Sequence, residues 1–472
     1  MKKSIVGAIV GVVFSFAAQS QGVQDMFRFS QPGYLGQGRY VGLAGAMGAM
    51  GNDMTAISHN PAAASIFRSD EFGVSVSFYN AQGTADYFDQ SNIQDANRFL
   101  LNNLGYLKKI NQDDPYSSTF SITYNQHINY QERQVVTVDN PMSSNIDAWI
   151  ASAGNTPPWQ LYNQGLYEEG AAYFSYLIDY DSIGGGYTSV ALGLPRQTVE
   201  IERTGNKGEI NIAYADVYNQ KLHWGVSFQV PTIRFRDYVV LTESGFGGDS
   251  ITGFTKENYF ATDGAGIGAT LGFIYKANHT VRLGASIKTP EVLFLRGAWE
   301  TTITSQFANS PIPEATAVGN DDYNYTVYTA PVFSLSSGFV FKKYGFIDVD
   351  FSYIPYTWSS YSNLGGAVND EINTLMDDAI NLKLGGEVRA DRFYFRGGYN
   401  FLSSPYTFEG NKGQRNIIGL GIGYRKPGYS IDLGYQNVQQ TDRYFPYSGD
   451  FTDPVNTELV QNNVMVSFNL RF

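Results

Sequence analysis

From residue 71 onward, hydrophobic and polar positions alternate along most of the chain. In KLHWGVSFQV, Leu222, Trp224, Val226, Phe228 and Val230 fall on one face, and His223, Gly225, Ser227 and Gln229 on the other. GFIDVDFSY sets Ile347, Val349, Phe351 and Tyr353 against Asp348, Asp350 and Ser352. GYSIDLGYQ sets Tyr429, Ile431, Leu433 and Tyr435 against Ser430, Asp432, Gly434 and Gln436. Successive side chains of a strand point to opposite faces, so each run predicts a strand with one apolar and one polar side. Soluble sandwiches share this alternation, so by itself it leaves a sandwich and a membrane barrel both open.

The connections separate the two. Tight breaks fall at YNQKL, KANHTV, KKYG, RADR and RKPG, and longer polar segments at 131–195, 244–257, 303–322, 361–378, 405–414 and 444–457. Outer-membrane barrels alternate in this way, with short periplasmic turns and long external loops. The count is about 14 strands, an even number as bacterial barrels require. The last strand, NVMVSFNLRF, puts Val464, Val466, Phe468, Leu470 and Phe472 on one face and Met465, Ser467, Asn469 and Arg471 on the other. A terminal strand ending on an aromatic resembles the signal read by the outer-membrane barrel assembly machinery, which makes Phe472 the candidate assembly residue. The expectation is an all-β fold: a transmembrane antiparallel β-barrel of about 14 strands spanning 71–472, with long outer loops.

Composition narrows this further. The 472 residues carry a net charge of -12, which argues against nucleic-acid binding. A mean hydropathy of -0.23 argues against a bundle of transmembrane helices, each of which needs about 20 apolar residues. Aromatics make up 15% of the chain and suit the two membrane interfaces. MKKSIVGAIVGVVFSFAAQSQG opens with Lys2 and Lys3, continues with a short apolar run and ends in small residues. It predicts a signal peptide over 1–20, cut near Gln21, and export to the cell outer membrane. Without cysteine the exported chain has no disulfides, Cys nucleophile or Cys-based metal site. No metal, cofactor or catalytic constellation is expected; His127 and His223 fall in predicted strands with no partner serine marked.

Residues 21–70 break the pattern. Gly36, Gly38, Gly42, Gly45, Gly48 and Gly51 recur among alanines. Such a segment has few large side chains with which to build its own core. It suits a flexible tail, or a chain threaded through a space too tight for bulk. SQPGYLGQGRYVGLAGAMGAMGNDMTAISHNPAAASIFRSDEFGVSVSFYN, leading into the first strand, resembles the FadL/TodX family of outer-membrane transporters of hydrophobic compounds, in the variant common in Bacteroidota. The resemblance implies that 21–70 is a hatch plugging a 14-stranded barrel, and that its Asn-Pro-Ala motif is here Asn60, Pro61 and Ala62, near the periplasmic floor. The residues agree with this. Asn can bond the backbone onward at a turn, and Pro61 lacks the N–H needed to continue a helix or a central strand. His59 is expected to bond the lumen wall.

By parity Asp348, Asp350, Lys383, Glu387, Arg389, Arg396, Arg425, Asp432 and Arg471 face the lumen. They are expected to pair across it and onto Asp25, Arg28, Arg39 and Asp53, because lone buried charges are costly. The outer segment WQLYNQGLYEEGAAYFSYLIDY reads as a helical hairpin. The resemblance makes Trp159, Leu161, Leu166, Tyr173, Phe174 and Leu177 a candidate ligand-capture loop; the alternative is that they pack on neighbouring loops. Two functions remain. One is a channel for passive uptake of hydrophobic small molecules, such as long-chain fatty acids or aromatic hydrocarbons, with a pocket above the hatch. The other is a non-conducting barrel subunit or docking scaffold, with protein partners, in a secretion or surface-protein assembly machine.

Overall fold

The computed structural model describes residues 22–110, 118–191, 193–247, 250–308, 314–364, 366–407, 413–448 and 450–472; the expected leader, 1–20, lies outside the described residues. Among the described residues, fourteen antiparallel strands close into one barrel. Ten are continuous: β1 (Glu71–Tyr87), β2 (Gln90–Lys109), β4 (Arg196–Tyr218), β5 (Leu222–Ser244), β6 (Ile251–Lys276), β10 (Ala379–Ala390), β11 (Phe393–Leu402), β12 (Arg415–Arg425), β13 (Tyr429–Tyr444) and β14 (Val455–Arg471). Four run in two pieces: β3 (Thr119–Asn129 and Glu132–Asp139), β7 (Val281–Lys288 and Val292–Phe307), β8 (Glu314–Tyr328 and Val332–Val340) and β9 (Gly345–Ile354 and Ser360–Ser362). The ring closes where β14 pairs with β1, Phe468 opposite Val74 and Leu470 opposite Phe72. Closure removes the free edges that a sheet in lipid could not satisfy.

The predicted faces hold. Val464, Val466 and Phe468 are exposed toward lipid, while Met465, Ser467 and Asn469 are buried toward the lumen. The outer halves of the wall differ from expectation. The polar segments at 244–257 and 303–322 belong largely to β5, β6, β7 and β8, and β6 alone runs 26 residues. Crossing the bilayer takes only about 9–11 residues. Beyond it neither face meets lipid, so the alternation fades while the ladder continues. Residues 132–139 likewise belong to β3 rather than to a loop.

The breaks in β7, β8 and β9 fall at Pro290, Pro331 and Pro355, each lacking an N–H for the ladder. Threonines bridge two of the gaps. Ala269 N–H donates to the Thr289 hydroxyl (3.1 Å) and Glu291 N–H to the Thr329 hydroxyl (2.8 Å).

Inside the barrel run α1 (Val23–Ser30), α2 (Gly38–Gly42), α3 (Ala56–His59) and a 3₁₀ turn, Pro61–Ile66. Two apolar clusters hold this segment. Met26, Phe27 and Phe29 pack with Phe235, Leu293 and Tyr356 toward the outer side. Leu43, Met47, Met54, Ile57 and Phe67 pack with Leu107, Ala213 and Ala215 toward the short-turn side. At the outer end the segment expected to form a helical hairpin holds one α-helix, α5 (Tyr167–Phe174), after two 3₁₀ turns; its helical partner is α4 (Asn145–Ala153), which precedes that segment, and α6 (Gly366–Leu375) lies near α1.

Candidate functional site

The wall accepts the lumenal segment through glycines that face inward. A Cβ at Gly434 would sit 2.6 Å from Gly38 O, at Gly284 2.6 Å from Gly48 O, at Gly225 2.7 Å from Pro61 O, and at Gly385 2.9 Å from Leu43 O. Gly398 and Gly419 would overlap the backbone of Leu43 and Val41 more closely still. The segment's small residues and the wall's glycines therefore let two backbones touch around much of the barrel.

Polar side chains fix the register. Gly38 N–H donates to Ser467 Oγ (2.6 Å) and Gln37 Nε2 to Asn469 Oδ1 (2.8 Å). Asp350 accepts from the N–H groups of Met47 and Gly48 (each 3.1 Å), and Asp348 from that of Ala49 (3.2 Å). Arg39 pairs with Glu387 (2.9 Å); Arg396 reaches the same Glu387 (2.7 Å) and Asp432 (2.6 Å). The expected lumenal pairing is thus present, with exceptions. Asp25 and Arg28 pair with each other within α1, because one helical turn brings them together before any wall residue can reach them. Asp53 accepts from Thr55 and Ala56 N–H instead of a cation (2.9 and 3.3 Å). Arg389 lies exposed at the rim and bonds Asp391 O (2.9 Å), and among the described residues neither Lys383 nor Arg425 has a carboxylate within 4.0 Å, the nearest wall acids Asp350 and Asp432 being taken up by backbone N–H groups and by Arg396.

The Asn-Pro-Ala motif sits where α3 ends. Asn60 Oδ1 accepts from Ala62 N–H (3.2 Å), and Pro61 opens the 3₁₀ turn at a position that needs no N–H. Asn60 Nδ2 donates to Gly48 O (2.9 Å) and to Phe273 O of β6 (3.1 Å), so one side chain ties two passes of the segment to the wall. Ala62 is fully buried. His59 does not bond the wall. Its Nε2 meets the Tyr40 hydroxyl at 2.8 Å, and its ring stands edge-on to His127. Tyr40 belongs to the same segment and stacks on the imidazole, so the hydrogen bond stays within the segment.

Below α1 lies a cavity of about 80 Å³, lined by His59, His127, Lys207, Lys288, Glu291 and Lys383 among others. A chain of buried polar side chains borders it: the His127 imidazole near Glu209 (3.4 Å), and ion pairs from Lys288 to Glu209 (3.2 Å) and to Glu291 (2.6 Å) and from Lys207 to Glu291 (2.7 Å). Its lining is mixed, with Pro32, Tyr40, Met47, Ala330 and Val332 beside the charged groups. On the outer side α1 packs among aromatic wall residues. Phe27 meets Tyr356 and Tyr406 edge-on at 5.8 and 5.7 Å. The polar chain has no local signature in sequence, because its members come from β3, β4 and β7.

Ser65 Oγ and His223 Nδ1 lie 2.6 Å apart. The hydroxyl also bonds Ala62 O (2.8 Å), and among the described residues His223 Nε2 has no partner. The pair therefore lacks the acid that orients a catalytic imidazole.

The outer loop divides the candidate capture residues. Leu161, Leu166 and Leu177 are buried in a cluster with Ile146, Trp149, Phe254 and Ile303, and Tyr173 packs against it. Only Trp159 (72%) and Phe174 (47%) are exposed, so the three leucines build the loop and present nothing to a ligand. Sequence reasoning missed one wall feature. The β2–β3 ladder runs only from Asn103 opposite Asn125 to Lys109 opposite Thr119. Above it the second half of β3 passes behind β1, where a Cβ at Gly83 would lie 2.5 Å from Arg133 O. The wall there is overlapped rather than laddered.

No family model and no curated protein sequence matches the chain. Solved structures do share its architecture. A FadL homologue of Pseudomonas aeruginosa superposes with a TM-score of 0.57 at 12% identity, over 93% of this chain and 100% of that one. The toluene transporter TodX of Pseudomonas putida gives 0.54 at 15% identity, over 94% and 99%. The monoaromatic hydrocarbon channel CymD gives 0.50 at 11%, over 93% and 97%. At these identities the likeness is one of fold: the chain is a closed fourteen-stranded barrel of the FadL/TodX type.

Proposed function

We propose that the chain is an outer-membrane channel for the passive uptake of hydrophobic small molecules, long-chain fatty acids or aromatic hydrocarbons, gated by residues 21–70 as a hatch. The observation that carries this reading is the backbone-to-backbone seat of the lumenal segment on the wall glycines. That seat closes the lumen by contacts that can be released without opening the strand ladder. Three solved barrels of like fold are a FadL homologue, a toluene transporter and a hydrocarbon channel, which supports the substrate class. In this mechanism ligand lands on the outer loops at Trp159 and Phe174. It then moves along the apolar side chains around α1, and shifting the segment near Asn60-Pro61-Ala62 frees a path. The overlapped seam between β2 and β3 offers a way out sideways into lipid, since no ladder bonds need break there. Phe472 is the residue the barrel assembly machinery reads in this scheme.

The test is twofold. Purified protein should bind labelled long-chain fatty acid or toluene saturably. Deleting 25–55 should leave the barrel folded, because the wall closes its own hydrogen bonds, and should turn a poor conductor into a leaky one in planar bilayers. The filled lumen also suits a non-conducting subunit of a secretion or assembly machine. A stoichiometric protein partner in gentle detergent, with no apolar ligand binding, would favour that reading.

A further inference from the structure

The short-turn end of the barrel opens into a cavity of about 680 Å³, within the range of about 300–1,000 Å³ typical of ligand sites. Its base is the lowest pass of the lumenal segment, Met50, Gly51 and Asn52. Eight cations line it, against two carboxylates, Glu71 and Asp391. Arg39 and Arg471 are already paired, with Glu387 and Glu71. Among the described residues no carboxylate lies within 4.0 Å of the other six: Arg68, Arg282, Arg389, Arg392, Arg425 and Lys426. Asp432 and Glu387 act on Arg425, Asp348 on Arg282 and Asp391 on Arg392 from farther off, but eight cations against two carboxylates still leave the mouth positive, in a chain whose net charge is -12. That arrangement is what a multiply anionic occupant would relieve.

We infer that this mouth is a receptor for an acidic peptide segment of a periplasmic protein. The side on which it lies rests on the outer-membrane reading above. A lone inorganic anion would leave most of the cavity empty, whereas a run of Asp and Glu brings several carboxylates at a peptide's spacing. The lining also offers apolar surface for such a chain, in Met50, Ile66, Val340, Phe346 and Tyr394. The rim at this end mixes exposed Phe341, Tyr344 and Phe393 with exposed Lys342 and Lys343, and Lys426 lies over the Tyr424 and Tyr429 rings, whereas Arg39, Arg282 and Arg425 stand inside the mouth. Occupancy would bear on the hatch. Arg282 donates to Met50 O (3.2 Å) and Arg39 to Asn52 O (2.7 Å), so the occupant shares its cations with the segment that forms its floor.

The experiment uses full-length protein in neutral detergent and fluorescein-labelled hexaglutamate, read by anisotropy. Binding should saturate, weaken at high salt, and fall by about tenfold or more in Arg68→Glu/Arg392→Glu, whose side chains sit on exposed turns. Lys426→Glu serves as a second variant should that pair fail to fold. Hexaglutamine binding as well as hexaglutamate, or charge reversal leaving the affinity unchanged, would overturn the proposal. So would laurate displacing the peptide at equal concentration, which would make the mouth a fatty-acid exit subsite. Apolar-ligand binding measured on the same preparations separates this outcome from the channel reading. Loss of hexaglutamate binding with fatty-acid binding intact removes only the receptor, and the reverse removes only the channel.

Discussion

Arg39 of the lumenal segment and Glu387 of the wall meet at 2.9 Å, both almost fully buried. The same guanidinium holds Gly51 O and Asn52 O, so it fastens two passes of the segment to one strand. Removing one partner of a buried pair costs about 3–5 kcal/mol, and the low end applies here because Arg396 still serves Glu387. Arg39→Ala should therefore loosen the segment while the wall stays closed. Limited proteolysis should cut within 21–70, bilayer conductance should rise, and the heat-resistant mobility of the barrel on gels should not change. Unchanged proteolysis and conductance would show that the glycine contacts alone hold the segment.

Gly397 and Gly398 are neighbours that make opposite predictions. A Cβ at Gly398 would overlap the Leu43 backbone, whereas at Gly397 it would meet only Leu420 Cδ2, at 4.0 Å. Valine favours a strand at either position. Gly398→Val should unseat the segment and leak, and Gly397→Val should insert and conduct like wild type. Equal conductance of the two would sink the idea that wall glycines seat the segment.

The barrel was legible because lipid on one side and polar lumen on the other impose a period of two. Ile431 and Asp432 could be assigned to opposite faces without any structure, and both assignments hold. The lumenal segment was legible by composition, since Gly38, Gly48 and their alanine neighbours build no core of their own. Its partners were not, because Gly398, Asp350 and Ser467 lie hundreds of residues away and only the closed ring brings them together. The expected contacts of the lumenal segment with the wall failed where local geometry outbid them. Asp25 and Arg28 satisfied each other on one helical turn, and His59 found Tyr40. The proline breaks at Pro290, Pro331 and Pro355 were visible as residues, but their alignment across three strands is a matter of register.

Phe472 is 68% exposed, and its N–H donates to Asp70 O (3.1 Å), so the chain end is pinned to the start of β1 while the ring faces outward. The ring buries little, and Phe472→Ser should barely alter a barrel already inserted. If the aromatic is read during assembly, the same change should cut outer-membrane levels severalfold while total synthesis stays constant. Equal membrane levels in mutant and wild type would remove the assembly role.

Glu168 on α5 joins the outer loops to the wall, accepting from Lys256 Nζ (3.1 Å), Trp149 Nε1 (3.1 Å) and Asn258 Nδ2 (3.1 Å). Burial pushes its carboxyl up, but the Lys256 ammonium and these bonds outweigh burial and hold it below the usual carboxylate range. A depressed carboxyl stabilises the fold at all pH values above that range. The contribution is lost as pH falls through its lowered folded-state value. Trp149 fluorescence should accordingly stay constant from neutral pH into mild acid and change only in strong acid. Glu168→Gln should abolish that step and destabilise the loop at neutral pH by about 2 kcal/mol. This is less than the about 3–5 of a fully buried pair, because the Glu168 side chain keeps 20% exposure. An acid transition that survives Glu168→Gln would assign it to another group.

Trp159 and Leu161 stand two residues apart and should fail differently. Leu161 is fully buried in the loop core, while Trp159 is 72% exposed. Leu161→Ala removes buried carbons and should cost about 2–5 kcal/mol of loop stability, seen as faster proteolysis of 140–195. Trp159→Ala removes little packing and should leave that proteolysis unchanged. Phe174 stacks on Tyr162 at 5.7 Å yet stays 47% exposed, so it shares the outward surface with Trp159. If the two rings are where an apolar ligand first lands, Trp159→Ala/Phe174→Ala should slow association of a labelled fatty acid several-fold. Dissociation should hardly change, because the landing surface is left behind once ligand has moved inward. Stopped-flow binding to purified protein reads both rates. An unchanged association rate with intact loops would move the capture site elsewhere on the barrel mouth, and a faster dissociation would mean that the rings hold the bound ligand rather than catch it.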